Sequence, residues 1–562
     1  MKKYAFYMAV LAIPLVAFGG PSAALVSPNT GTGTSQTFTF QYSSPSGWNT
    51  LVNTDALFNS SLSGTNACLV LYDAPGRKIF LYSDIPGNGM TGPIVVNTNG
   101  SLSGNLSNPQ CTMNAAGSSV TGSGTTLTMT LNMSFSSTTF AGTKNIYMYT
   151  SDNARLSSGW QQRGTWTISS PTLPPLGTAL SVMSFGAVGN GVANDTAAFN
   201  AALATACSGS TNLHIPAGTY LLNSLDLVNA CGITIYGDGN ATTILRINSV
   251  ISPVMWRFAN GAGKTLTLQD LAMDGRHQEV AGLTIDAYDT VNVYRVNIHD
   301  FGTPGYAEGH QTDLDGLYIT HSANVNVTNS FFTGNERMGI ELQGDRNTVV
   351  SGSTMSGNGH MGGVSEQTFA GTLAGPGVAQ WLNNTMINNG SGGIDVETDP
   401  SLPAAQAIIQ GNKVINCGND NWTWGWGLVI GMKAYGTISG NEVDNYAANV
   451  PTSSDYTNAI VFGGNAGPIN ITNNTVTGTK TYGIVGDGIN YPVTISGNTV
   501  SSNQTGIFIY QVPGVSITNN TVQYNQGAGI AVYWSDGYTV RGNTFTSNNP
   551  NLLINGQFGV QN

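Results

Sequence analysis

The sequence predicts an all-β protein in which a parallel solenoid of about 10–12 coils follows a β-sandwich. From about residue 265 one phrase recurs: an apolar residue, two spacers, Asn, one spacer and an apolar residue, as in "ISGNEV", "ITNNTV" and "ISGNTV". Between these phrases, a Gly or Ala precedes alternating apolar residues, as in "GIEL", "GIDV" and "GIFI". Short strands at a regular spacing, without a helical period, are typical of solenoid coils, which bury their apolar side chains only by stacking.

The segment before the solenoid has three predicted parts. Residues 1–24 are predicted to be a signal peptide, because Lys2 and Lys3 precede an apolar run that ends in the small residues "PSAA". Residues 25–170 alternate polar and apolar residues, as in "TLTMTLNMSF", which predicts an Ig-like β-sandwich as an accessory domain. Residues 171–180 are proline-rich and are predicted to be a linker, so the solenoid occupies residues 181–562.

The start of the solenoid and its recurrent Asn residues have predicted structural roles. Asp195 is predicted to cap a helix at residues 196–206, with its carboxylate accepting the free amides. The Asn side chains are predicted to stack at one turn and to bond the neighbouring coils. The equivalent positions are Ser330, Ser353, Asn384, Asn412, Asn441, Asn474, Asn498, Asn520 and Asn543.

The segment "FGAVGNGVANDTAAFNAAL", followed by "HIPAGTYLL", resembles the entry of the pectate-lyase-like right-handed parallel β-helix superfamily. The resemblance covers residues 180 to 562. It implies a right-handed parallel β-helix with an N-terminal cap helix, and it implies a carbohydrate-active protein of the polysaccharide lyase or polygalacturonase-like kind. Residues 25–170 resemble no family in the same way.

The five cysteines predict two disulfides. Their positions pair Cys68 with Cys111 in the first domain and Cys207 with Cys231 in the second, and leave Cys417 unpaired. The second pair also resembles an arrangement near the entry of some polygalacturonases. Disulfides agree with an exported protein.

The resemblance to polygalacturonase-like hydrolases fails at one point. Those enzymes carry an acid in "NTDG", a pair of acids one coil later and a His on the next coil. Asp315 in "DLDG" matches the first acid, and His360 in "NGHMGG" lies near the His. Arg337 and Met338 stand where the acid pair should be, so a pectin-type hydrolytic site does not carry over.

Aligning the coils on the Gly of the second phrase assigns the faces of the strands. Residues one and three places after the Gly are predicted to face the core, and those two and four places after it to face outward. The outward places of successive coils are Tyr318 and Thr320, Glu341 and Gln343, Ser365 and Gln367, and Asp395 and Glu397. Carboxylates roughly 6–10 Å apart suit hydrolysis of a glycosidic bond. Glu341, Asp395 and Glu397 are therefore the predicted acid/base set, with Asp315 and His360 assisting.

Other residues are predicted to contact a sugar chain. Exposed aromatic faces stack on sugar rings. Cationic side chains can pair with acidic sugars. The predicted substrate-binding residues are Tyr318, Trp422, Trp424, Arg337, Lys433 and Tyr510.

Hydrolysis requires no cofactor, but two metal hypotheses stay open. Asp395, Glu397 and Asp399 offer the hard oxygen ligands that Ca²⁺ prefers. With Arg337, Arg346 or Lys433 as the base, such a site predicts β-elimination from a uronate. The weaker hypothesis is zinc at His310, His321 and His360, which lack a tight spacing motif.

The favoured function is a secreted polysaccharide-degrading enzyme, a glycoside hydrolase with an open groove on the β-helix. The alternatives are a Ca²⁺-dependent lyase acting on a uronate-containing glycan, and a non-catalytic glycan-binding or adhesive surface protein. A net charge of −11 without a basic run argues against nucleic acid as a partner. No transmembrane span is expected after signal removal, and no oligomeric state is predicted.

Overall fold

The structure is a computed structural model that describes residues 19–558, except 65–66, 83–89, 103–104, 109, 137–139, 141, 169–178, 228–230, 304–313, 368–376, 399–402, 419–425 and 449–456. The chain divides into two compact units, residues 1–171 and 172–562. Most of the predicted signal peptide and of the predicted linker lies outside the described residues.

The first unit is a β-sandwich of a five-stranded and a seven-stranded sheet, with mostly antiparallel pairing. The five-stranded sheet contains, in spatial order, Ser22–Ser27, Ser35–Ser43, Thr126–Phe135, Cys111–Ser123 and Asn105–Ser107. The seven-stranded sheet contains Thr30–Thr32, Gln161–Ile168, Gly142–Asp152, Leu51–Asn59, Cys68–Asp73, Lys78–Tyr82 and Met90–Val95. Twelve described strands exceed the seven to nine of an Ig domain, so the sandwich prediction is right and its Ig-like size is an underestimate.

The two sheets of the sandwich share one aromatic core. The ring centroids of Phe38 and Phe58, from opposite sheets, are 4.9 Å apart. The predicted disulfide between Cys68 and Cys111 is confirmed and joins the sheets. The first strand begins at Ser22, and Ala23 is fully buried, so the predicted domain boundary at residue 25 falls inside this strand.

The second unit is a parallel β-helix of three sheets. The first solenoid sheet contains Leu180–Ser181, Leu213–Ile215, Thr234–Gly237, Thr265–Gln269, Thr290–Tyr294, Asn324–Thr328, Asn347–Ser351, Val378–Leu382, Gln406–Gln410, Tyr435–Ser439, Ile469–Thr472, Val493–Ser496, Ser516–Thr518 and Thr539–Arg541. The second contains Asn190–Asn194, Gly218–Leu222, Thr243–Ile247, Ala272–Gln278, Asn297–Phe301, Phe331–Thr333, Thr354–Ser356, Thr385–Ile387, Lys413–Ile415, Glu442–Asp444, Thr475–Thr477, Thr499–Ser501, Thr521–Gln523 and Thr544–Thr546. The third contains Leu225–Leu227, Val254–Phe258, Ala281–Asp286, Leu317–Thr320, Ile340–Gln343, Met361–Gln367, Gly392–Thr398, Leu428–Ile430, Ile460–Gly463, Tyr482–Asp487, Thr505–Tyr510, Ile530–Tyr533, Leu552–Ile554 and Gln557–Phe558.

This architecture confirms the predicted right-handed parallel β-helix. Within the described residues the first two sheets have fourteen parallel strands each and the third has thirteen, followed by an antiparallel strand, which is more than the predicted 10–12 coils. The predicted number of coils is too low because it rests on the recurrent phrase, which begins at about residue 265, whereas the first solenoid sheet begins at Leu180. One continuous apolar core runs through the coils, with Ile, Val and Leu in stacked rows.

The entry helix covers Thr196–Gly209, three residues longer than predicted. Asp195 occupies the N-cap position, but its carboxylate makes no capping bond to the helix. It accepts instead from the backbone amides of Val188 (2.7 Å) and Gly189 (3.3 Å), and so fixes the loop that precedes the helix. The predicted Cys207–Cys231 disulfide is confirmed, and Cys417 is free and buried.

The recurrent Asn residues form the predicted ladder. The amide of Asn441 donates to Asn474 Oδ1 (3.0 Å), and the amide of Asn474 donates to Asn498 Oδ1 (2.9 Å). A second ladder, five residues further along each coil, was not predicted; it contains Asn335, Asn358 and Asn389. Cys417 continues this second ladder, because Asn389 Nδ2 points to its Sγ at 3.8 Å.

In the described part of the chain, no helix is long and apolar enough to cross a bilayer.

Candidate functional site

The third solenoid sheet brings the predicted carboxylates onto neighbouring coils. In its register Tyr318 pairs with Glu341, Glu341 with Val364, and Val364 with Asp395. Glu341 and Asp395 are therefore two coils apart, about 10 Å at the usual strand spacing. Glu397 follows Asp395 on strand Gly392–Thr398, roughly 6–7 Å further along.

The predicted register is wrong by one residue in the coil between them. Val364 and Glu366 hold the places assigned to Ser365 and Gln367, since Glu366 pairs with Gln343 and Glu397. The marker of this coil is Gly362, whereas Gly363 takes a core place between Ile340 and Ile394. The indole ring of Trp381 fills the volume that a Cβ at Gly363 would need. Glu366 is thus an acid of the site sheet that the alignment missed.

The carboxylates of this face differ in their access to solvent. Glu341 is 3% exposed and Asp395 7% exposed, which corrects the expectation that both face solvent. Glu397 is partly exposed, and burial raises the pKa of its carboxyl group. Gly431 on the next coil lies against Glu397, and a Cβ there would overlap the carboxylate. A partly exposed carboxyl group with a raised pKa therefore lies on the same strand as a buried one.

Arg337 joins two of the predicted catalytic residues. Its Nη1 donates to Asp315 Oδ2 at 3.0 Å and also bonds Glu341 Oε2. Asp315 Oδ1 accepts the backbone amide of Met338 at 3.0 Å. Arg337 was predicted to bind substrate, but its guanidinium is engaged by protein carboxylates. The two residues that replace the expected acid pair, Arg337 and Met338, thus both hold Asp315.

Two groups next to Arg337 have displaced pKa values. Burial raises the pKa of Asp315 well above its usual range, and the nearby charge of Glu341 adds to this effect, while Arg337 opposes it. Burial, together with the positive charge of Arg337, lowers the pKa of His360 to about 3. His360 is therefore neutral at ordinary pH and can donate or accept a hydrogen bond, but it cannot supply an imidazolium proton.

Glu336 anchors the chain beside this cluster and was not among the predicted site residues. It is buried, and its Oε2 accepts from both the amide (2.6 Å) and the hydroxyl (3.0 Å) of Thr303. Its place next to Arg337 in the sequence was the available signal. Its hydrogen bonds to Thr303 indicate a positioning role.

The predicted substrate-binding residues are spread over the helix. Tyr318 lies beside the site, and its hydroxyl bonds Gln343 Oε1. Lys433 lies in the turn after strand Leu428–Ile430, with its amide 3.4 Å from the carbonyl of Thr398. Trp422, Trp424 and Asp399 lie outside the described residues.

The later coils carry an aromatic row on the third solenoid sheet. Tyr482 and Phe508 stack at 4.6 Å with an 8° interplanar angle, so each ring covers one face of the other. Tyr510 meets Trp534 edge-on at 4.9 Å, and Trp534 is 61% exposed. The row therefore stabilises the coils by its own stacking, and Trp534 presents the largest free surface of these four rings.

Three sets of side chains could hold a metal ion. The Ca²⁺ hypothesis stays a prediction, because Asp399 lies outside the described residues. Among the residues of the zinc hypothesis, His310 also lies outside the described residues. Nδ1 of the His321 imidazole lies 3.1 Å from Asp286 Oδ1. Within the described ranges, one group of three His and Asp residues has ligand atoms close enough for a metal: Asp274, His299 and Asp300.

Comparison with known proteins agrees with this fold. The family model "Rhamnogalacturonase A/epimerase, pectate lyase-like" matches residues 179–395, and the model "Right handed beta helix region" matches residues 383–545. An exopolygalacturonase of Zea mays is 27% identical over 192 residues, covering 27% of this chain and 46% of that protein. An exopolygalacturonase (clone GBGA483) of Arabidopsis thaliana is 24% identical over 274 residues, covering 40% of this chain and 59% of that protein. The chain thus spans about half the length of these curated relatives.

A solved structure also aligns with part of this chain. The surface adhesin PfbA of Streptococcus pneumoniae aligns with a TM-score of 0.46 and 16% identity, over 67% of this chain and 93% of that chain. The two family matches together run along the whole solenoid from its entry segment to its late coils. From residue 179 to residue 545 the chain therefore matches family models of pectate-lyase-like and right-handed β-helix proteins, which supports the predicted superfamily.

Proposed function

We propose that this protein is an exported glycoside hydrolase that degrades a polysaccharide on the third solenoid sheet. The observation that carries the proposal is the pair Asp395 and Glu397 on one strand, one carboxyl group buried and the other partly exposed with a raised pKa. Glycoside hydrolysis needs one protonated and one ionised carboxyl group on either side of the scissile bond. The similarity to two exopolygalacturonases supports the class of reaction.

Each acid has a distinct proposed role. Burial raises the pKa of Glu397, which favours its protonated form, and its proposed role is to donate a proton to the glycosidic oxygen. The proposed role of Asp395 is to stabilise the positive charge that develops on the sugar ring, or to assist the attack on it. Asp315, Glu341 and Arg337 form a buried hydrogen-bonded cluster, with Glu341 two coils from Asp395, and their proposed role is positioning.

The substrate is proposed only as a class. A neutral or acidic polysaccharide would lie across the coils from Tyr318 toward Lys433, and no cofactor is needed for hydrolysis. We propose secretion from the predicted signal and from the two disulfides, which persist in oxidising compartments.

The test is incubation of the full chain with a panel of neutral and uronate-containing polysaccharides. Both new reducing ends and the ultraviolet absorbance of unsaturated products are measured, with and without a chelator. We expect reducing ends without new absorbance, and no effect of the chelator. Glu397→Gln should lower kcat by about 10²–10⁴-fold, the usual contribution of general acid catalysis.

The matched control is Glu442→Gln. Glu442 lies on the second solenoid sheet in an exposed pair with Lys413 (3.2 Å), so its loss should leave turnover unchanged. New absorbance that depends on Ca²⁺ would favour the lyase. Retention on a polysaccharide column without any product would favour the adhesive protein. Full activity of both Glu397→Gln and Asp395→Asn would show that the proposed pair is wrong.

A further inference from the structure

A second cluster of polar side chains lies on the second solenoid sheet, away from the proposed catalytic pair. Asp274 and His299 are register partners on the neighbouring strands Ala272–Gln278 and Asn297–Phe301. Asp300 follows His299, and one ligand atom from each of the three residues lies within 4.8 Å of the others. From these residues and His277 we infer a binding site for a divalent transition-metal ion of the Zn²⁺ kind.

The backbone brings His277 to the same place. The register of the two strands shifts between Asp274, which pairs with His299, and Gln278, which pairs with Phe301. Four residues of the first strand therefore advance against two of the second, which makes a β-bulge. Arg276 and His277 have positive φ angles (53° and 54°) in this bulge. As a result, His277 Nε2 lies 3.8 Å from Asp300 Oδ1, while His299 Nδ1 lies 2.8 Å from Asp300 Oδ2. Two imidazoles thus converge on one carboxylate.

The donor set fits zinc better than calcium. Zn²⁺ binds imidazole nitrogen and carboxylate oxygen with four ligands, whereas Ca²⁺ takes six to eight oxygens. Two His and two Asp match the first requirement in number and type. The side chains of Asp274, His299, Asp300 and His277 are 11%, 23%, 36% and 49% exposed, so an ion can enter from solvent.

The surrounding charges also favour a cation. Arg246 Nε contacts Asp274 Oδ2 at 2.8 Å, and the amide of Arg276 donates to Asp274 Oδ1 at 2.9 Å. When both imidazoles are neutral, the carboxylates of Asp274 and Asp300 together outweigh the single guanidinium of Arg246, so the cluster has a net negative charge. The bonds to Asp274 hold its carboxylate in one orientation, as outer hydrogen bonds do for metal ligands.

Ordinary His–Asp pairing explains other histidines but not this cluster. His214 Nε2 pairs with Asp238 Oδ1 at 2.7 Å, and its ring stacks on Tyr236. That contact is one imidazole with one carboxylate, and among the described residues it belongs to no group of three potential ligands. The inferred site is independent of the proposed hydrolase activity, since it lies on a different sheet.

The site is tested on the full chain, without a histidine tag and after chelator treatment, by calorimetric titration with ZnCl₂. We expect one Zn²⁺ per chain, a higher thermal midpoint with Zn²⁺, and no comparable response to Ca²⁺. His299→Ala should weaken Zn²⁺ binding by at least about 10-fold, the lower range for loss of a group supporting a metal. His214→Ala, which removes a His–Asp pair elsewhere, should leave the affinity unchanged.

A second variant covers the case in which His299→Ala does not fold. Asp300→Asn keeps the shape of the side chain, and Co²⁺ provides a visible absorption spectrum of the bound ion. Wild-type protein should give the intense bands of a four-coordinate site, and Asp300→Asn should lose them. Absence of stoichiometric binding to wild-type protein, or equal Zn²⁺ affinity in both cluster variants and wild type, would overturn the inference.

Discussion

Arg337 is the residue that most distinguishes this site from the polygalacturonase-like pattern. It stands where that pattern has an acid, yet the neighbouring acid Asp315 is retained. Without a cation, the buried side chains of Asp315 and Glu341 would repel each other when both are ionised. The guanidinium of Arg337 bonds both and relieves this repulsion. Arg337 thus holds Asp315 and Glu341 in one buried cluster, which agrees with the proposal that the acid/base role belongs to Asp395 and Glu397.

Replacing Arg337 should destabilise the solenoid strongly. Arg337→Met leaves two buried carboxylates without their cation, and loss of one partner from a buried ion pair costs about 3–5 kcal/mol. The free energy of unfolding is measured in urea at neutral pH. Lys413→Met, which breaks the exposed pair with Glu442, should cost less than about 1 kcal/mol. Equal costs for the two variants would contradict the buried ion-pair interpretation.

The ladder of Asn side chains is the main polar element of the solenoid. Each buried Asn accepts from the coil before it and donates to the coil after it, as Asn474 does between Asn441 and Asn498. Its Nδ2 also donates to the carbonyl of Ile438 at 2.9 Å. These bonds satisfy backbone groups at a turn where the chain leaves a sheet, and they hold the coils in register.

A single ladder residue should therefore be costly to remove. Asn474→Ala leaves the buried amide of Asn441 without its acceptor, which we expect to cost about 1–3 kcal/mol or more of unfolding free energy. Asn474→Ser should fall between Ala and wild type, because Ser353 holds a ladder place by accepting the amide of Ser330 at 3.1 Å. The control is Asn470→Ala at an exposed strand position, with a change within about 0.5 kcal/mol. If the Ala and Ser variants were equally unstable, the hydrogen bond accepted from the amide of Asn441 would not be what stabilises the ladder.

At the scale of the whole molecule, periodicity predicted the architecture well. The recurrent "N-x-apolar" phrase and its spacing were sufficient for the solenoid, the ladder and the sheet that carries Glu341, Asp395 and Glu397. Periodicity failed at Gly363, because two adjacent glycines fit the marker equally well and the choice depends on Trp381, which lies on the next strand along the chain, in another sheet. It also could not predict the burial of Glu341 or the engagement of Arg337, since both depend on neighbours in other coils.

Both units contain a buried acid whose pKa is displaced upward, and this predicts how stability depends on pH. Burial raises the pKa of Asp55 in the sandwich to about 7 and that of Asp345 in the solenoid to about 8. Between the unfolded value near 3.8 and the folded value, the folded state holds a proton that the unfolded state has lost. Each unit therefore loses stability as pH rises through this window, by up to about 1.4 kcal/mol per pH unit and group.

The prediction can be checked for each unit separately by hydrogen exchange and mass spectrometry of the full chain. All six histidines lie in the solenoid, so Asp55→Asn should flatten the pH dependence of the sandwich between about pH 5 and 7 without interference. For the solenoid, the slope is measured between about pH 6.5 and 8. Below this range histidines in the unfolded chain gain protons while His360 in the folded chain does not, which would add a second pH dependence. There Asp345→Asn should reduce the slope without removing it, because the pKa of the buried Asp315 is also raised; the variant should still fold, since its amide oxygen can accept the amide of Ser322 (2.6 Å in the wild type). Each variant should affect only its own unit, and wild-type protection that rises with pH in these windows would contradict the assignment of the buried protons.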